Sequence, residues 1–137
     1  MKNNKPAATP NIMQLKLRKE DCSGNVNLTL YRSIVRNLTY LTATTLDIMY
    51  AVSLVSRFME KSNEMHRQVA KIVLRYVNGT KEYGILYTAK NDFRLFGYIG
   101  NDWGGSVDDR KRTSGYVFHL GSGAISWASK KQQIVSL

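Results

Sequence analysis

Acidic residues are scarce in this chain. Ten Asp and Glu stand against 20 Lys and Arg over 137 residues, for a net charge of +10 and a pI near 9.9. The imbalance disfavours cationic partners and favours polyanions, nucleic acid above all. No dense basic block accompanies it: the excess is +3 in residues 1–30, +4 in 31–80 and +3 in 81–137. A solvated basic surface and a binding stripe therefore remain equally open. Cysteine is almost absent. With Cys22 alone an intramolecular disulfide is excluded, which fits a reducing compartment. Long apolar runs are missing, so no membrane span is expected. The lysines near Met1 are followed by no apolar core, so no secretory signal is expected either. The compartment expected is cytoplasmic or nuclear, with no membrane partner and no small-molecule substrate. Histidine is limited to His66 and His119, which lie far apart without ligand spacing. Ser106, Ser114 and Ser122 lie near glycines but form no nucleophile elbow. Gly104-Gly105 and Gly121-x-Gly123 are too short for phosphate loops and read as turns.

What is present is enough for one domain or less. Residues 1–28 hold both prolines, Pro6 and Pro10, and no sustained periodicity; irregular or disordered chain is expected, with Leu15 and Leu17 in a short edge strand at most. Residues 29–82 read as helical. Leu30, Ile34, Leu38 and Leu41 share one face of a helix over 29–42, with Thr29 as its cap. A second helix is predicted from Asp47 to Met59 on the stripe Ile48, Val52, Val55 and Phe58/Met59. A third is predicted from Glu64 to Val77, capped by Asn63 and stopped by Asn78-Gly79. Met65, Val69, Ile72, Val73 and Tyr76 form its inner face, and Arg67, Lys71 and Arg75 recur every four residues on its outer face. Residues 83–137 read as strands: 83–88, 93–100, 114–120 and 124–128, with turns at 90–92 and 121–123 and an exposed loop over 104–113. The fold class predicted is α+β, a helical segment followed by an antiparallel meander.

Two stretches carry a family resemblance. Tyr98-Ile99-Gly100-Asn101-Asp102-Trp103 resembles the Tyr-Thr-Asp-x-Asp-Trp end of the first ribonuclease H strand in copia-type LTR retrotransposon Pol polyproteins. The helical block resembles the segment that follows the polymerase palm there, through Tyr31-Arg32-Ser33-Ile34-Val35, Tyr40-Leu41-Thr42-Ala43-Thr44, Leu74-Arg75-Tyr76 and Gly79-Thr80. The resemblance implies three segments: an irregular stretch 1–28, a reverse transcriptase connection-like stretch 29–82, and a truncated ribonuclease H-like meander 83–137 made of the first three strands of that fold. The family pattern has Gly at position 36 and Arg-Pro at 45–46. Here stand Arg36, Thr45 and Leu46, and an arginine would be costly if that face were buried.

The resemblance also implies what is missing. In the intact family, converging carboxylates hold magnesium for two-metal hydrolysis. The first of them falls on Gly100, and the chain stops at Ser136-Leu137 where the family continues towards the next. The nearest acid, Asp102, shares a face with position 100 if the strand continues. A single carboxylate displaced by about 6–7 Å does not rebuild a site of four. The expectation is an inactive remnant with no catalytic residue, no metal site and no cofactor. The alternative is a small basic module that holds RNA, DNA or an RNA–DNA hybrid nonspecifically, through Arg67, Lys71, Arg75, Arg110, Lys111, Lys130 and Lys131. A strand over 93–100 without its further partner would present an apolar edge at Leu95–Ile99, which residues 83–88 are placed to blunt.

Overall fold

A computed structural model describes residues 5–10, 17–19, 24, 26–89, 93–102, 106 and 108–134. The chain is α+β and divides into two compact units, Met1–Glu82 and Tyr83–Leu137. The first unit is helical. Helix α1 spans Leu28–Leu41, α2 spans Met49–Val55, and α3 spans Glu64–Gly79. Tight 3-10 turns at Leu46–Ile48 and Ser56–Phe58 flank α2, so the second predicted helix is three short pieces.

Helix α1 is capped by Asn27, not Thr29: the Asn27 carboxamide accepts from the Leu30 amide at 3.0 Å. Its buried face is Tyr31, Val35 and Leu38, while Leu30 is half exposed at 51%. Of the predicted stripe, Leu38 is buried and Ile34 and Leu41 pack against the core, while the place expected for Leu30 goes to Tyr31. Its hydroxyl donates to the Val55 carbonyl at 2.7 Å, which allows a phenol to be fully buried. Burial pushes the Tyr31 phenol well above its ordinary range, so it stays a neutral donor. Tyr31 and Val35 pack with Val55, Val69 and Ala70; Leu38 packs with Ile48, Ala51, Val52 and Val73. Ile34 touches both groups. Each fully buried aliphatic side chain contributes about 1.5–3 kcal/mol.

The arginine at position 36 is exposed, so no burial penalty arises. Arg36→Gly should therefore destabilise the helical unit by about 1 kcal/mol, the ordinary cost of glycine in an exposed helix interior. Urea denaturation followed by helical circular dichroism would read it, and a gain in stability would show that this face packs against something.

The N-terminal pieces are irregular, as expected, but they are packed. Leu17 and Val26 lie against the first cluster. Arg75 of α3 donates through Nε to the Lys5 carbonyl at 2.7 Å. A Cβ at Gly79 would stand 2.7 Å from Pro6 Cβ, so glycine is needed there for close approach. Helix α3 runs through Gly79, two residues beyond the predicted end at Val77 and within the predicted Asn78-Gly79 stop. Leu17 is in no strand, and Leu15 lies outside the described residues.

The second unit is a three-stranded antiparallel sheet in the order β1-β2-β3: β1 Leu95–Asn101, β2 Thr113–Leu120, β3 Gly123–Lys131. Leu95 pairs with Leu120, Asn101 with Ser114, and Thr113 with Lys131. The register of β2 on β3 shifts between Phe118 and His119. Residues 83–88 form no strand and leave the β1 edge unpaired among the described residues. The side chains of Ile85 and Tyr87 serve as anchors instead, while Tyr83 is exposed. Tyr87 Oη donates to the Ala124 carbonyl at 2.5 Å, the Thr88 amide donates to Ser122 Oγ at 2.9 Å, and Ile85 and Tyr87 both lie over Gly123. The predicted turn at 90–92 lies outside the described residues.

Candidate nucleic-acid interface

The end of β1 holds the residues of the quoted motif. Gly100 pairs with Gly115, and an added Cβ there would meet nothing within 4 Å. Strand β1 ends at Asn101, and Asp102 closes the hairpin beyond it. Its amide donates to the Thr113 carbonyl at 3.0 Å, and its Oδ1 accepts from the Thr113 amide. Asp102 thus sits half-buried as a backbone clamp between β1 and β2. Its Oδ2 is buried without a hydrogen-bond partner.

The basic candidates divide into engaged and exposed groups. On α3, Arg67 forms a two-pronged ion pair with Glu64, whose second prong runs from Nε to Oε2 at 2.6 Å. The hydrogen bond from Arg67 lowers the Glu64 carboxyl below its ordinary value. Arg75 is held by the Lys5 carbonyl. Lys71, between them, is exposed. In the second unit Lys131 Nζ lies 2.6 Å from Asp109 Oδ2 and 3.3 Å from Ser106 Oγ. Partial burial would raise the Asp109 carboxyl, but hydrogen bonds from Lys131, Ser106 and the Lys111 amide outweigh it and hold the group well below the usual carboxylate range. Arg110 is exposed in a left-handed turn with φ 54°, its amide donating to the Ser106 carbonyl at 2.9 Å. Lys111 is half-buried and Lys130 exposed.

These two motif-bearing regions have known counterparts. The chain is 42% identical over 129 residues to the retrovirus-related Pol polyprotein from transposon RE1 of Arabidopsis thaliana, covering 94% of this chain and 9% of that protein. It is 40% identical over 144 residues to the retrovirus-related Pol polyprotein from transposon TNT 1-94 of Nicotiana tabacum, covering 100% of this chain and 11% of that protein. The chain belongs to the copia-type retrotransposon Pol polyprotein family. It spans about a tenth of the length of these two relatives. It is also 42% identical over 108 residues to the secreted RxLR effector protein 161 of Plasmopara viticola, covering 78% of this chain and 76% of that protein. No protein-family model matches the chain, and no solved structure does.

Within this Pol-family chain, sequence reasoning missed two arrangements. One is the clamp of Asp109, Lys131 and Ser106, which joins a loop to a strand 22 residues later; a run of mixed charges gives no signal of that pairing. The other is His66. It is fully buried, stacked on Phe58 with ring centroids 3.8 Å apart and planes 17° apart, and its Nδ1 accepts from the Asn63 amide at 3.2 Å. The Asn63 carboxamide in turn accepts from the His66 amide at 2.9 Å. A histidine three residues after a capping Asn is the signal that could have found this reciprocal cap. Trp103 and Gly104-Gly105 lie outside the described residues, and Trp127 is half-buried on β3. Among the described residues no helix is long and apolar enough to cross a membrane.

Proposed function

We propose that this chain is a catalytically inactive remnant of a copia-type Pol polyprotein, with a ribonuclease H-like sheet in which the first metal-binding position is vacated. The observation that carries this reading is the end of β1. Gly100 contributes no ligand, and Asp102, the nearest acid, gives one carboxylate oxygen to the Thr113 amide. Magnesium takes several oxygen ligands from converging carboxylates. The residues at this strand end do not fit a magnesium pair.

A second reading is favoured by the charge of +10. Under it the chain holds nucleic acid nonspecifically through phosphate contacts. Arg67, Arg75 and Lys131 already have partners within the chain, which leaves Lys71, Arg110, Lys111 and Lys130 as the side chains best able to meet phosphates.

One experiment addresses both. The purified chain is titrated with a labelled RNA–DNA hybrid in magnesium over a range of salt, following anisotropy and strand length together. The expected outcome is intact hybrid at every concentration. Binding, where present, should weaken with salt at a log–log slope of about −4 or shallower, as four phosphate contacts give. Cleavage that Asp102→Asn abolishes would overturn the inactive reading. Binding that does not respond to salt would overturn the phosphate reading.

A further inference from the structure

The open edge of β1 has an unusual composition. The strand lies at one side of the sheet, all seven residues are exposed, and none is charged. Edges of this kind are ordinarily blunted by lysine, proline or a bulge, because their free amides template pairing with another strand. Strand β3, at the other side of the sheet, carries such devices: Lys130, Lys131 and the register shift near Phe118/His119. Strand β1 carries none.

The backbone polarity of the edge follows from two hydrogen bonds. Arg94 accepts from the Gly121 amide at 3.1 Å, and Asp102 donates to Thr113 at 3.0 Å. Even-numbered residues therefore address β2. The alternation of an antiparallel ladder then turns the amides and carbonyls of Leu95, Gly97, Ile99 and Asn101 to the open edge. We propose that this edge pairs with the same edge of a second copy of the chain, antiparallel about a twofold axis through Tyr98, giving one continuous six-stranded sheet.

Three features select a second copy and this register. First, an axis at the middle residue is the arrangement in which all seven residues of β1 find a partner. It sets Gly97 against Ile99 and Leu95 against Asn101 of the second copy, which are the residues with open backbone groups. Second, each face sets a glycine opposite a large residue, Gly100 against Phe96 on one and Gly97 against Ile99 on the other. Third, the charges complement each other. Arg94 lies just before the strand and Asp102 just after it, so each end of the paired ribbon sets an arginine opposite an aspartate. Opposite charges in directly opposed positions favour pairing and like charges disfavour it. An isologous contact of this kind closes at two copies, and the lysines of β3 oppose growth from the outer edges.

The test is sedimentation velocity of the full chain over the low- to high-micromolar range, with circular dichroism to monitor the fold. A concentration-dependent monomer–dimer equilibrium is expected. Ile99→Lys should abolish the dimer without unfolding the chain, because Ile99 is 80% exposed. Arg94→Glu should weaken it about tenfold. The register is read separately in a Cys22→Ser background. There Tyr98→Cys, at the twofold axis, should be linked into a disulfide dimer by oxidised glutathione, which takes up the two electrons as the thiols lose their protons. Leu95→Cys should not be linked, because its counterpart lies about 20 Å away. A chain that stays monomeric, a dimer indifferent to Ile99→Lys, open-ended aggregation, or equal linking at both positions would each overturn the proposal.

Discussion

Replacing His66 with alanine should lower the stability of the helical unit by about 3 kcal/mol, the largest effect expected for a single substitution of a polar residue in this chain. Three losses combine. The ring leaves a void where it stacked on Phe58 at 3.8 Å. The Asn63 amide loses its acceptor inside a buried helix start. The entry into α3, fixed by the reciprocal Asn63–His66 bonds, becomes looser. Urea denaturation followed at the helical circular dichroism band measures the change. His66→Asn, which keeps a side-chain acceptor but no ring, should recover about 1 kcal/mol of it. A loss below about 1 kcal/mol for the alanine variant would mean that the stacked ring contributes little.

Gly123→Val should destabilise the sheet unit by about 2 kcal/mol. Gly123 is buried, and even a Cβ there would stand 2.6 Å from Tyr87 Cε1 and 3.2 Å from Ile85 Cγ2. The strand itself tolerates valine, so the strain falls on residues 83–89. The bonds from Tyr87 to Ala124 and from Thr88 to Ser122 should break. Hydrogen exchange at the Thr88 amide reports this directly: exchange should rise in Gly123→Val and stay slow in Gly100→Val, where open space surrounds the added side chain. Equal exchange in the two variants would show that this segment is held by something other than its contact with Gly123.

The two predictions fall where reading the sequence stopped short. The helices were legible because apolar residues recur at helical spacing, and Ile48, Val52, Val55 and Phe58 are buried as that spacing requires. The first inner-face residue of α1 was not, since Leu30 is half exposed. Leucine and tyrosine compete for the inner face, and Tyr31 occupies it because the Val55 carbonyl stands within reach of its hydroxyl. The three strands of the sheet were legible from alternation and turn glycines. The fate of 83–88 was not, because an alternating segment anchored by side chains reads the same as one paired by its backbone. At the candidate site, Gly100 and Asp102 could be placed by motif alone, and so could every basic residue. Which of those cations already have partners depended on Glu64, Lys5 and Asp109.

The sequence by itself determined the α+β class, the Pol-family kinship and the glycine at position 100, where the resemblance implies a carboxylate, because these rest on residue identity and local spacing. Tertiary structure alone decided that Arg36 costs nothing, that His66 belongs to a helix cap, that Asp102 clamps a hairpin, and that among the described residues β1 has an open, uncharged edge. Each of these depends on what lies opposite a residue in space, and distant partners leave no trace in the periodicity of a chain.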